Sequence, residues 1–212
     1  KLSPSILNAD FLNLQKQLEI LKEHDVEYLH IDVMDGHYVD NISFAFPILE
    51  SVKECGFKLD IHLMIDRPDK YAARFAQYGD IVTIHFNTSS HLRIDEILKE
   101  IRKNNTKSGV TLNPDESIDL LLPHMGQFDL CLLMSVFPGY GGQEFISDVL
   151  NKAQLLQEYR EKHDFMLEID GGINFSNIQG IVKDYDFDLI VMGSALMKND
   201  LNENLNNIRR YL

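Results

Sequence analysis

Cysteine is scarce in this chain. Cys55 and Cys131 are the only two among 212 residues, in separate predicted elements and without CxxC spacing. A disulfide framework is thereby excluded, and the pair reads as free thiols of a reducing compartment. Basic residues are also short, 20 against 33 acidic ones, for a net charge of −13. That balance argues against a nucleic-acid partner or an anionic membrane surface, both of which need basic surface. It leaves room for a small anionic substrate, because a local nest of backbone N–H groups can override the global field. No apolar run is long enough to span a bilayer. The opening Lys1-Leu2-Ser3-Pro4 lacks a signal-peptide pattern, so the expected location is the cytoplasm. No linker or low-complexity tract interrupts residues 1–212, which are read as one domain around a single core.

What is present is an alternation of short apolar runs with amphipathic segments. Strands are expected at Leu2–Leu7, Tyr28–Asp32, Lys58–Leu63, Ile81–His85, Gly109–Leu112, Leu130–Met134, Met166–Ile169 and Leu189–Met192. Runs such as "IVTI" and "LIVM" are apolar throughout, as strands covered on both faces are. Between them the period changes: Leu14, Leu18 and Leu21 fall at i, i+4, i+7 with Gln15, Lys16, Glu19 and Lys22 on the other face. Asp69 is a candidate N-cap before "KYAARFA", Asp95-Glu96 opens "DEILKEIR", and Asp115 or Ser117 precedes "IDLLL". Strands that each precede a helix require a parallel sheet with right-handed crossovers. Eight such units close most economically into an α/β TIM (β/α)₈ barrel. A doubly wound open sheet is disfavoured, because no G-x-G-x-x-G follows the first strand.

In such a barrel the C-terminal strand ends carry the chemistry. In "LHIDVMDGHYVDN" His30 and Asp32 lie two positions apart, on one face of a strand. An imidazole and a carboxylate sharing an inward face cost several kcal/mol unless compensated. His62 ends strand 3 and Asp170 ends strand 7. Two imidazoles and two carboxylates on one rim make a four-ligand site for a divalent metal ion, and zinc, iron(II), manganese and cobalt all accept that donor set. Asp60 and Glu168, on the same strands, are expected to serve another layer or a helix N-terminus, and His85 reads as a hydrogen-bonded structural histidine. Three glycine-rich stretches, "FPGYGGQ", "DGGIN" and "GSA", follow strands 6, 7 and 8. Successive glycine loops there suit a phosphate site, since a Cβ would hold the backbone away from the anion. Met34, Met64 and Met134 end strands 2, 3 and 6 and are read as core filler or as an apolar lining of the site.

Six ordered blocks, "SPSILNADF", "LHIDVMDGHYVDN", "DIHLMIDRP", "MSVFPGYGGQEF", "EIDGGIN" and "VMGSALM", resemble the signatures of the ribulose-phosphate 3-epimerase family over essentially the whole chain. The resemblance implies a TIM barrel with one divalent metal ion on His30, Asp32, His62 and Asp170. It implies that Asp32 and Asp170 are also the acid and base on opposite faces of a phosphorylated ketose. The phosphate would rest on Gly141-Gly142, Gly171-Gly172 and Gly193-Ser194. Ser5 and His62 would touch the sugar, and Met34, Met64 and Met134 would cap the reacting carbons. Homo-oligomers are implied too. The chain departs from the family pattern at Asp40, where Pro is usual, at Asn87 in place of Glu, and at Phe137 in place of Asn. Asp40 and Phe137 are expected to shape substrate access. The reaction type is unaffected, while a ketohexose 6-phosphate such as allulose 6-phosphate becomes a near alternative. A barrel lyase or aldolase would need a Lys at a strand end, yet Lys58 and Lys107 stand at strand starts. A non-catalytic phosphosugar-binding barrel would have no use for the complete acid/base set.

Overall fold

The computed structural model describes residues 1–44 and 46–212. Eight parallel strands form one sheet: β1 (Leu2–Pro4), β2 (Tyr28–Met34), β3 (Lys58–Met64), β4 (Ile81–His85), β5 (Lys107–Leu112), β6 (Leu130–Met134), β7 (Met166–Asp170) and β8 (Leu189–Met192). Their order, β1-β8-β7-β6-β5-β4-β3-β2, is a ring opened between its first two strands. A parallel bridge between Ser5 and His30 spans that opening. The connections carry α1 (Leu14–Glu23), α2 (Phe46–Glu54), α3 (Pro68–Phe75), α4 (Ile94–Arg102), α5 (Leu150–Arg160) and α6 (Ile178–Asp184). The short α7 (Ser194–Met197) and α8 (Leu201–Ile208) follow β8.

The pleat sorts the core into two parts. Outward-facing Leu29, Ile31, Leu59, Ile61, Leu133 and Ile169 are fully buried beneath the helices. Each such side chain contributes about 1.5–3 kcal/mol relative to exposure. The helices answer with their own apolar stripes: Leu18 and Leu21 on α1, and Ile94, Ile97, Leu98 and Ile101 on α4. Inside the ring, Tyr28, Ile81, Leu130 and Leu189 plug the end where the strands start. The opposite end, where the strands finish, collects the polar side chains.

Four local expectations change. β1 ends at Pro4 because Ser5 Oγ accepts from the Leu7 N–H and starts a 3₁₀ turn at Ile6. β2, β3 and β7 run past their expected ends to Met34, Met64 and Asp170. Asp69 is not an N-cap, since Pro68, with its φ fixed for a helix, opens α3 one residue earlier. The Asp69 carboxylate instead takes Arg67 Nε and Nη2 at 2.9 and 2.8 Å and Ser90 Oγ at 2.5 Å. Between β5 and β6 the helical layer shrinks to two 3₁₀ turns, Ile118–Leu120 and Leu122–His124, the first capped by Ser117. Pro123 has no N–H to extend a helix through "IDLLLPH".

Candidate active site

Residues two apart on a strand share a face, so β2 sends both His30 and Asp32 inward and β3 sends both Asp60 and His62. Asp32 and His62 are register partners on adjacent strands, and Asp170 closes the group from β7. His30 Nε2 lies 3.4 Å from Asp32 Oδ1 and 3.7 Å from Asp170 Oδ2, and His62 Nδ1 lies 3.4 Å from Asp32 Oδ1. One atom from each of the four residues falls within 4.8 Å of all the others. The four expected ligands therefore form one cluster. Of the two places expected for Asp60 and Glu168, another layer or a helix N-terminus, the structure has the first. They occupy the layer beneath, where Asp60 Oδ2 accepts from His30 Nδ1 at 2.6 Å and from Ser3 Oγ at 3.1 Å. The same two-residue period that puts His62 and Asp170 inside puts them inside as well.

The facing nitrogens, His30 Nε2 and His62 Nδ1, are buried without hydrogen-bond partners among the described residues. Buried nitrogens aimed at carboxylates, at distances too long for a good hydrogen bond, are what a coordinating cation satisfies. The donor set, two imidazoles and two carboxylates, fits a divalent first-row ion.

The side chains of the cluster shift one another's proton affinities. Burial opposes charge on His30, but the Asp60 and Asp32 carboxylates override it and hold the imidazole protonated well above its ordinary range. Burial would likewise raise Asp32, yet His30 and His62 carry its carboxyl far below the ordinary range. Asp170 goes the other way: burial, reinforced by the Asp32 and Asp60 charges, pushes its carboxyl up to about 6. Burial and then Asp60 raise Glu168 well above the carboxylate range, which suits a side chain whose two oxygens have no partner among the described residues. Burial and neighbouring His62 keep His85 neutral.

The Asp170 shift has a stability consequence. Its folded value lies above the unfolded one, near 3.9, so the folded state binds the extra proton between those two values. Stability from this group is full below about pH 4 and falls as pH rises to about 6. Metal-free protein should thus lose about 1–3 kcal/mol relative to Asp170→Asn across that window. Urea unfolding of both proteins in chelator tests this, and a gap that stays constant with pH contradicts it.

A cavity of about 200 Å³ opens above the cluster. Ser5, Asp32, Asp170, all three methionines, Gly141, Gly142, Gly171, Gly172, Gly193 and Ser194 line it. The methionines are almost wholly buried, and Met34 and Met64 pack together with Val39. Ser5 Oγ donates to Asp32 Oδ2 at 2.6 Å, so it orients the carboxylate as well as facing the cavity. Asn8 is a lining residue that periodicity did not reveal. A Cβ on Gly141 would stand 2.3 Å from its Nδ2, so the glycine there permits a close approach between the first and sixth loops.

The ribulose-phosphate 3 epimerase family model matches residues 1–197. The chain belongs to that family. It is 38% identical to the ribulose-phosphate 3-epimerase of Bacillus subtilis, covering 92% of this chain and 91% of that one. It is 37% identical to the Helicobacter pylori enzyme of the same name, over 100% and 99% of the two chains. Among solved structures, 3-hexulose-6-phosphate synthase from Salmonella typhimurium superposes with TM-score 0.70 at 14% identity, over 100% of this chain and 98% of that one. At that identity the likeness shows the barrel fold alone. Within the family frame the three departures prove to be neighbours: Asp40, Asn87 and Phe137 all line a second cleft beside the mouth. Of the three, only Phe137 also lines the main cavity.

Proposed function

We propose that this family member is a metal-dependent sugar-phosphate 3-epimerase interconverting D-ribulose 5-phosphate and D-xylulose 5-phosphate. One observation carries the reading: two carboxylates, from β2 and β7, converge with His30 and His62 within 4.8 Å of one another and both line one cavity. Two carboxylates facing one bound sugar can serve as base on one side and acid on the other. The ionised carboxylate takes the C3 proton, the electron pair of the C–H bond moves to the neighbouring carbonyl, and an enediolate results. The protonated carboxyl then returns a proton to C3 from the opposite face, which inverts it. For the reverse reaction the two exchange roles. Ser5 holds Asp32 in place, and Met34, Met64 and Met134 keep water from the planar intermediate.

His30, Asp32, His62 and Asp170 would hold one divalent ion, be it zinc, iron(II), manganese or cobalt. The chemistry such an ion supplies is Lewis acidity, which stabilises the negative charge that develops on the substrate oxygens. The ligand nitrogen of His30 must first release its proton, so occupancy weakens as pH falls. The backbone of Gly141-Gly142, Gly171-Gly172 and Gly193-Ser194 would receive the phosphate. An imine mechanism finds no support, because Lys58 and Lys107 are exposed at the first positions of β3 and β5. Lys58 Nζ is engaged with Glu27 there at 2.5 Å.

Incubating metal-loaded protein with ribulose 5-phosphate in deuterated water tests the reading. The expected product is xylulose 5-phosphate carrying deuterium at C3. Phe137 in the cavity wall favours allulose 6-phosphate as the second substrate to try. Neither exchange nor product with either sugar would defeat the proposal.

A further inference from the structure

Only one of the two site histidines is backed by a carboxylate. His30 gives its Nδ1 to Asp60 at 2.6 Å, which leaves Nε2 facing the site. His62 has no such anion behind it. Its Nε2 lies 2.7 Å from Nε2 of His85, the last residue of β4, and both side chains are wholly buried. Two imidazole nitrogens at that distance share one proton, with one ring donating and the other accepting. If His85 donates, neutral His62 carries its own proton on Nδ1, the atom facing Asp32, and has no lone pair to offer there. If His62 donates, Nδ1 is free to act as a ligand.

We infer that His85 is a positioning residue: by accepting the Nε2–H of His62 it fixes the tautomer whose Nδ1 lone pair points at Asp32 and the cation. The inference rests on the metal reading above. Among the described residues His62 is the sole hydrogen-bond partner of the His85 side chain, whose Nδ1, the atom that carries the proton when Nε2 accepts, has none. Its orientation is set by the His62 hydrogen bond and by the Tyr38 ring. The His62 and His85 rings lie 4.9 Å apart at 27°, and the Tyr38 ring covers His85 at 4.7 Å. Tyr38 is itself anchored by Asn113 Nδ2, which donates to its hydroxyl at 3.1 Å. The two metal histidines thus present opposite nitrogens, and each is oriented by a different kind of acceptor. Partners of this sort orient a ligand and raise its basicity.

Zinc affinity, measured by chelator competition on wild-type protein, His85→Met and His85→Gln, tests the inference without recourse to turnover. The methionine fills the space without accepting the proton and should raise the zinc Kd about 10–100-fold, whereas the glutamine oxygen should keep it within about threefold of wild type. In zinc-loaded wild-type protein, imidazole ¹⁵N spectra should place the His62 proton on Nε2. That spectrum decides the matter even if His85→Met does not fold. Equal zinc affinity for the methionine variant and wild type, or a His62 proton on Nδ1, overturns the inference alone. Wild-type protein that binds no zinc, iron(II), manganese or cobalt removes the metal reading and this inference with it.

Discussion

Asp170→Asn is expected to lower the rate of epimerisation by about 10²–10⁴-fold, the usual contribution of a positioned acid/base group. The amide is nearly isosteric but cannot take up or deliver a proton at C3. Asp32, on β2, is untouched, still oriented by Ser5 at 2.6 Å. The variant should therefore exchange the C3 hydrogen of one epimer with solvent deuterium while failing to make the other epimer. That split separates loss of one proton carrier from general damage. The fall should appear in kcat, with binding of the phosphosugar largely kept, because the glycine loops are unchanged. Metal content must be measured alongside, since Asp170 belongs to the ligand cluster. A variant that retains metal and epimerises within tenfold of wild type would remove the two-carboxylate scheme.

The second large effect is steric. Gly172 follows β7 with φ +65°, and a Cβ there would lie 2.6 Å from Phe145 N and 2.7 Å from its Cα. Neither backbone atom can yield as the end of a flexible side chain could. Left-handed strain and overpacking together make Gly172→Ala cost about 2–5 kcal/mol, a fall in Tm of about 5–15 °C for a chain of this size. The shifted loop should also weaken competition by inorganic phosphate against the substrate. Gly180 provides the contrast, because a Cβ at that position in α6 meets nothing within 4 Å. Gly180→Ala should leave activity alone and raise stability by about 0.5–1 kcal/mol, the helix propensity difference. Thermal unfolding of the two variants checks both signs. A Gly172→Ala protein as stable as wild type would contradict the packing argument.

Much of this architecture was legible before any coordinates. The strand positions follow from apolar runs separated by 3.6-period segments, and the closed parallel ring follows from their number and alternation. Where boundaries moved, a single hydrogen bond or ring explains it, as with the Ser5 cap at the end of β1 or Pro68 at the start of α3. His30, Asp32, His62 and Asp170 were readable as a set because strand parity and the barrel's polarity are both encoded locally. For Asp60 and Glu168 the sequence leaves another layer or a helix N-terminus open, and the structure selects the layer below the four. An acid deep inside a barrel is costly unless it is partnered or protonated. The partners exist: Ser3 and His30 for Asp60, and a raised proton affinity for Glu168.

By itself, then, the sequence determined the barrel, its polarity, the four convergent side chains His30, Asp32, His62 and Asp170 and the three glycine loops, because each depends on periodicity or on residue type at a strand end. Only the tertiary structure decided what stands behind the ligands: Asp60 under His30, His85 beside His62, Asn8 against Gly141. These are contacts between strands or loops distant in the chain, with a geometry that no local pattern specifies. Two aspartates of identical chemistry likewise acquire opposite proton affinities from their three-dimensional surroundings alone. The histidines beside Asp32 favour its charge, and the burial of Asp170 disfavours its own.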